Sequence, residues 1–430
     1  MITAAPDRKS APKIKDAVEF DLKLQPLQKS KLDNGVDVFA VDAGTEEVIQ
    51  LEIIFNAGNW YENKNLIAAV TNFMLKNGTL KRTAFSINEH FEYFGSYLNR
   101  SCSSEHASLT LHCLTKHLHE LLPVVREILS ESVFPEDELE LFKKNSKQKL
   151  EVNLKKCEFV ANRMIDTYVY GPDHPYGRFS SFEGYDAIQR EDLLQYYKDF
   201  YVQGRCRIFV SGKLPADIFA LLNNSLGSLP FGSVDTNEYT HTLAPATQLK
   251  YRIANDPEGV QGAIRMAIPA PGRKHEDYSK LQVLNNIFGG YFGSRLMSNI
   301  REDKGYTYGI HSYLENHKHQ TAWVISTEAG RDVSEAAVKE IYNEMEDLRE
   351  ELIGDEELML VKNHMMGSLL SELDGPFHIM SKWKNIILND LDESYFYKTI
   401  ETIKSITAEE LHDLSKKYLD PERFYELIVI

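Results

Sequence analysis

Four cysteines in 430 residues (Cys102, Cys113, Cys157 and Cys206) are too few and too scattered for a disulfide framework, and no Cys-x-x-Cys pair occurs among them. The thiols read as reduced, and nothing in them asks for an oxidising compartment. Positive charge is also in short supply. Lys and Arg number 48 against 64 Asp and Glu, a net charge of −16. Phosphate binding needs a basic face, so nucleic acid and anionic membrane are excluded as main partners. The balance suits basic or extended peptides better. No stretch approaches the roughly 18 apolar residues of a membrane-spanning helix. The opening residues, MITAAPDRKSAPKIKDAVEF, carry charge where a signal peptide needs an apolar core, so a cytoplasmic address is expected. Also missing are a Gly-x-Ser-x-Gly nucleophile turn and a Walker loop. The glycines Gly289, Gly290 and Gly293 follow a helical pattern rather than a strand, the wrong context for a dinucleotide fingerprint.

What is present is an ordinary globular composition, 43% hydrophobic and 26% charged, in a chain too long for one core. Residues 1–28 read as an extended N-terminal arm. A first lobe is expected over 29–235, a linker over 236–247 within the Pro-, Gly- and Thr-rich Leu229–Thr247, and a second lobe over 248–430. A turn at Asn34-Gly35 precedes an alternating strand, and Val48–Ala57 reads as its hairpin partner. Helices are predicted over Leu66–Lys76, over Ser86–Tyr97 with Ser86 as N-cap, over Leu118–Glu131, and from Pro135 through about Arg163. The second half repeats this plan, and Asp374-Gly375-Pro376 reads as a helix stop. The repeat is plainest at the two lobe ends. Glu191-Asp192-Leu193 through Phe200, then Arg205–Val210, corresponds to Glu409-Glu410-Leu411 through Tyr418, then Arg423–Val429. The fold class is therefore α+β: a duplicated unit making two similar lobes, each a mostly antiparallel sheet covered by helices.

The segment Asn285–Tyr308, NNIFGGYFGSRLMSNIREDKGYTY, reads as a helix end, a glycine turn, a short helix, and Gly305 opening a strand. Arg301 then falls in a last helical turn and Tyr308 just inside the strand, so that their side chains converge on one surface. The stretch GSRLMSNIREDKGYTY resembles the C-terminal-lobe signature of pitrilysin/insulinase-type (M16) zinc peptidases and their non-catalytic sister subunits. In that family an Arg, followed seven residues later by a Tyr, holds the backbone of a bound peptide. The resemblance implies that role for Arg301 and Tyr308. A guanidinium and a phenol can hydrogen-bond peptide groups without reading side chains.

The resemblance also implies a His-x-x-Glu-His helix after the second strand, with two zinc-binding histidines and a water-activating glutamate. The matching segment is LIAAVTNFMLKNGT, and aligning its Gly78-Thr79 puts Ala69, Asn72 and Phe73 at those three positions. None can do the job. The more distant glutamate ligand would fall near Phe142–Lys149, which holds no carboxylate; Glu138, Glu140 and Glu151 lie a few residues off. No catalytic and no metal-binding residue is assigned to this chain, and any zinc is expected in a partner subunit. The groups His112/His117/His119 and His311/His317/His319 lack metallopeptidase spacing and read as surface residues.

The expected function is a non-catalytic, peptide-binding subunit of a heteromeric M16-type zinc metallopeptidase. It would form half of a clamshell whose other half bears His-x-x-Glu-His. The alternative is a scaffold, or a peptide-sequestering homodimer with no part in peptidase chemistry.

Overall fold

The computed structural model describes residues 15–232 and 239–430; the first part of the expected arm and residues 236–238 of the expected linker lie outside them. The first half builds a six-stranded sheet from β1 (Gln28–Lys31), β2 (Asp37–Asp42), β3 (Val48–Phe55), β4 (Tyr97–Cys102), β5 (Ala107–Leu114) and β6 (Cys206–Gly212). Its helices are α1 (Ile67–Met74), α2 (Ala84–Tyr93), α3 (Leu118–Glu131), α4 (Glu136–Leu154), α5 (Cys157–Tyr170), α6 (Phe182–Ala187), α7 (Arg190–Tyr197) and α8 (Ile218–Leu226). The second half builds a five-stranded sheet from β7 (Lys250–Ile253), β8 (Gln261–Ala270), β9 (Thr307–Asn316), β10 (Thr321–Gly330) and β11 (Tyr425–Val429). Its helices are α9 (Tyr278–Asn285), α10 (Ser334–Glu350), α11 (Asp355–Ser371), α12 (Pro376–Leu388), α13 (Ser394–Ser405) and α14 (Ala408–Tyr418). No helix among the described residues is long and apolar enough to cross a membrane.

The strand orders are β1-β2-β6-β3-β5-β4 and β7-β11-β8-β10-β9. In each sheet the last strand of its half inserts in the middle. β6 runs parallel to β2 and antiparallel to β3, just as β11 runs parallel to β7 and antiparallel to β8. The two halves are thus one unit built twice. Even the helix that precedes this inserted strand, α7 in the first half and α14 in the second, is started alike. The Asp192 carboxylate accepts from the Gln189 backbone N–H at 3.0 Å, and the Glu410 carboxylate accepts from that of Thr407 at 3.2 Å.

The insertion of β6 corrects the expected hairpin. β2 and β3 are sequence neighbours but not ladder partners; the hairpin is β1–β2, turning through Asn34 and Gly35 at φ +84°. Other boundaries moved for local reasons. The N-cap of α2 is Thr83, whose hydroxyl accepts from Ser86 N–H, so Ser86 is the capped residue. The long polar helix breaks at Lys156, which is extended, and this frees α5 to leave in a new direction. Pro376 opens α12 at a first-turn position where its missing N–H costs nothing.

That new direction matters, because α5 packs on the second sheet against β8 and β11, and α12 packs on the first against β2 and β6. Each half lends a helix to the other. On β3, Ile49, Leu51, Ile53 and Phe55 face the core of the first lobe, while Ile54 joins Phe39, Val41 and Phe209 beneath α12. On β8, Ile264, Met266 and Ile268 face the second lobe's helices, and Ala263 and Ala267 make room for Ala161, Ile165 and Val169 of α5. Both borrowed helices are pinned by a polar contact in mid-strand. Lys384 of α12 donates to Glu52 of β3 at 2.7 Å, and Arg265 of β8 donates to Asn162 of α5 at 2.6 Å. Arg265 is 2% exposed and also reaches the Thr327 carbonyl at 3.1 Å and Glu328 at 2.6 Å.

The β9–β10 hairpin tip locks the lobes together. His317 stacks on Tyr176 at 3.9 Å and His319 on Trp60 at 4.1 Å. Glu105 accepts from the Tyr176 hydroxyl and from Lys318 N–H at 3.1 Å, while the Lys318 ammonium meets Asp390 at 2.8 Å. His317 and His319 are therefore interlobe contacts: His317 is partly buried, which corrects its surface reading, whereas His319 is exposed but stacked and His311 is exposed. His174 lies beside the same indole at 5.7 Å. Burial, with the neighbouring His241, His317, Arg178 and His319, pushes its pKa down to about 4. Burial also lowers His317 and His319.

Two outcomes are expected. Arg265→Ala leaves Asn162 and the Thr327 carbonyl without their donor and should cost about 3–5 kcal/mol, read as a lower urea midpoint. The stacked imidazoles are held neutral, so their contribution is complete above the free-histidine value of 6.5 and is lost as pH falls through the depressed folded values. Acid titration should therefore quench Trp60 fluorescence with an apparent pKa below 6.5. In His319→Gln the quench should shrink; an unchanged titration would show that the stack does not govern it.

Candidate functional site

The helix at the expected metal position is fastened by Glu62. Its carboxylate accepts from Leu66 N–H at 3.2 Å and Ala68 N–H at 3.0 Å, the free donors at the start of α1. Arg178 lies 3.4 Å from the same carboxylate. Burial nevertheless outweighs these partners and raises its pKa to about 7. Leu66 itself sits at φ +75°, a strained value for a non-glycine residue that the Glu62 bonds hold in place.

On this helix Ala69 is exposed and presents only a methyl group. Asn72 is turned inward and 3% exposed; its amide donates to the Ser108 carbonyl at 3.3 Å and the Tyr201 hydroxyl at 3.2 Å. Phe73 lies outward against Phe142 of α4 with ring centroids 4.6 Å apart, and the Arg100 guanidinium covers it at 4.6 Å. Nearby carboxylates are engaged elsewhere. Asn77 donates to Glu138 at 2.8 Å, and Lys143 donates to Glu140 at 2.7 Å. Between α1, α4, α5 and α6 runs a groove of about 590 Å³ walled by Phe73, Leu141, Phe142, Phe159 and Tyr185. These residues do not fit a zinc ion: one position has no donor atom, one is spent on the core, and one is a stacked phenyl ring. Among the described residues no group of three His, Cys, Asp or Glu is placed to hold a metal.

In the second lobe the segment before β9 is wound as a wide π-helical turn, Met297–Asp303, instead of an ordinary short helix. Gly305 at φ +68° reverses the chain, and Tyr306 N–H returns to the Ile300 carbonyl at 3.0 Å. Across this reversal Arg301 Nε donates to the Tyr308 backbone carbonyl at 3.1 Å, which explains the seven-residue interval. The guanidinium also lies 4.6 Å over the Phe292 ring and 3.4 Å from Glu302, and Nη2 has no partner among the described residues. The Tyr308 side chain is 90% exposed. The structure thus joins the predicted pair through side chain and backbone; the two side chains are not themselves in contact.

Two features of this site were not anticipated from sequence. Phe292, 63% exposed, is the platform under the guanidinium, though its position among glycines suggested only a turn. Tyr308 also stands on a β-bulge. The β9–β10 register slips between Thr327 and Ala329, so that Tyr308 and Gly309 together oppose Glu328. Thr307 Oγ1 donates to the Glu328 carbonyl at 2.6 Å, and Thr327 Oγ1 to the Gly309 carbonyl at 2.9 Å, stitching the bulge in place. Gly309 two residues after Thr307 was its only local sequence signal. β9 ends its sheet, and Tyr308 stands near its start beside Arg301 and Phe292; farther along, the Ile310 N–H is taken by Met297 Sδ at 3.4 Å.

Comparison with known proteins agrees with this architecture. The family model described as insulinase (peptidase family M16) matches residues 38–172, and the one described as peptidase M16 inactive domain matches residues 187–365. The Bacillus subtilis protein named uncharacterized zinc protease YmxG is 23% identical over 411 residues, covering 94% of this chain and 98% of its own. The Helicobacter pylori protein named non-peptidase homolog YmxG is 23% identical, covering 85% and 87%. The crystal structure of a peptidase M16 inactive domain from Pseudomonas fluorescens superposes with a TM-score of 0.80 at 21% identity, covering 94% and 98%. A protease structure from Helicobacter pylori gives 0.84 at 16% identity, covering 95% and 100%. With both family models matched in order along one duplicated fold, the chain belongs to the M16, insulinase-type peptidase family, in a form without the His-x-x-Glu-His set.

Proposed function

We propose that this chain is the non-catalytic, peptide-substrate-binding subunit of a heteromeric M16-type zinc metallopeptidase working in the cytoplasm. The observation that carries the reading is the constellation at the β9 edge. A guanidinium is fixed by the Tyr308 carbonyl and the Phe292 ring, with Nη2 still free among the described residues, beside a fully presented phenol. An extended peptide laid beside the Tyr308 bulge, short of the Ile310 N–H that Met297 occupies, would meet the start of the strand. Arg301 and Tyr308 would grip its carbonyls. The hydrolytic step would belong to a partner of similar fold that supplies His-x-x-Glu-His and its zinc, the two chains closing as a clamshell around the peptide.

A second reading has its own support. The groove beside Phe73 is roomy and largely aromatic, and its carboxylate, Glu138, is engaged by the Asn77 amide. A homodimer could hold peptides there without cutting them, as a scaffold or a sequestering protein.

The readings separate on purification from native lysate. A co-purifying chain of similar size bearing His-x-x-Glu-His is expected, whereas recovery of a homodimer alone favours sequestration. The purified single chain should hydrolyse no peptide. In the assembled complex, Arg301→Ala should lower kcat/KM by about tenfold to a hundredfold, the equivalent of one charge-assisted hydrogen bond of roughly 1.5–3 kcal/mol. Gel filtration of that variant should still show the intact complex; undiminished turnover would rule out the substrate-gripping role.

A further inference from the structure

Because the two halves are the same unit, each carries a cleft at the same place. In the first lobe it is the aromatic groove between α1, α4, α5 and α6. The corresponding helices of the second lobe, α9, α11, α12 and α13, enclose a cavity of about 460 Å³, within the range of small-molecule sites. Its lining is the more polar of the two. Where the first cleft shows phenyl rings, the second shows Arg273, Gln282, Asn286, His364, Lys382 and Asn385.

The charges there do not balance internally. Lys382 is paired with Glu372 at the rim. Arg273 is half-buried and has no carboxylate within ion-pair range among the described residues; its guanidinium donates only to the Asn389 side chain, at a long 3.4 Å. A half-buried guanidinium without a counter-ion keeps its donors available, and it is shaped to take a carboxylate on two parallel hydrogen bonds. The second imbalance is an acceptor. The Gln282 side-chain carbonyl oxygen is buried and receives no hydrogen bond from the described residues. Native structures rarely leave such an atom unmet. The wall behind them is apolar, formed by Leu314, Ile386 and Phe396.

We propose that this cavity is a binding site for a small carboxylate that carries an N–H donor beside it. That chemistry is shared by a free α-amino acid and the carboxyl end of a short peptide. Arg273 takes the carboxylate and Gln282 receives the N–H. The proposal does not depend on Arg301 or Tyr308, neither of which lines the cavity, although Leu314 brings the far end of β9 to its wall.

Calorimetric titration of the purified full-length chain tests it, with L-alanine, alanyl-alanine, alanyl-alaninamide and inorganic phosphate as probes. Alanine or alanyl-alanine should bind, and whichever is tighter identifies the source of the ligand. Alanyl-alaninamide, which keeps the N–H but loses the carboxylate, should bind at least about tenfold more weakly, the scale of one charge-assisted hydrogen bond. Arg273→Ala should weaken the better ligand by at least a similar factor, and Arg273→Lys should restore part of the loss. Binding should be unaltered in Arg301→Ala, which separates this site from the strand edge. Equal binding of the amide, phosphate binding as tight as that of alanyl-alanine, or no heat from any probe at millimolar concentration would each overturn the proposal. If Arg273→Ala fails to fold, the probe series on the wild-type chain decides alone.

Discussion

Every part of this molecule depends on an exchange: the open face of each sheet is covered by a helix that belongs to the other half. A sheet with one apolar face exposed is not stable in water, and a duplicated unit offers two ways to cover it. Here the cover is reciprocal, with α5 on the second sheet and α12 on the first. The mid-strand contacts Lys384–Glu52 and Arg265–Asn162 fix each borrowed helix in one register, since a slip would bury an unpaired charge or amide. The interlobe stack of His317 on Tyr176 and His319 on Trp60 adds a second tie. The β9 edge and both clefts are consequently carried on lobes tied to each other by these contacts.

The exchange also accounts for the different fates of the two clefts. Each is closed on one side by the borrowed helix or the helix leading into it, so neither can be lost without unpacking a sheet. What can change is the lining. In the first lobe, Ala69, Asn72 and Phe73 turn a place for metal ligands into an apolar groove while Asn72 still serves the core through Ser108 and Tyr201. In the second lobe the same space is lined with amides and cations. One scaffold thus supports two chemistries, as expected when function resides in side chains rather than in the fold.

Much of the fold was legible because its signals are local. The α3 limits, Leu118–Glu131, follow directly from a strongly amphipathic run, and the repeated Glu-Asp-Leu and Glu-Glu-Leu helix starts revealed the duplication. The hairpin assignment of β2 and β3 failed because their true neighbour, β6, arrives more than 150 residues later in sequence. No local pattern encodes such a partner. β4, polar and at a sheet edge, gave no apolar alternation to notice. At the candidate site, the interval from Arg301 to Tyr308 was readable because Gly305 marks the reversal between them. The platform under Arg301 was not, because an aromatic among glycines signals a turn regardless of what stacks on it. The π-helical winding and the bulge depend on register rather than residue type, and register is a tertiary property.

The helix exchange has a consequence for how the chain is made. A ribosome releases the strands of the first sheet by Gly212, but their cover, Pro376–Leu388, comes much later. At synthesis rates of roughly 5–20 residues per second, the first sheet waits on the order of ten to thirty seconds with Phe39, Val41, Ile54 and Phe209 uncovered. Nascent chains of this protein are therefore natural clients for chaperones that shield apolar surface. The first half expressed by itself would leave that sheet face open and its α5 without a surface to pack on, so it is a precursor awaiting completion rather than a free-standing domain.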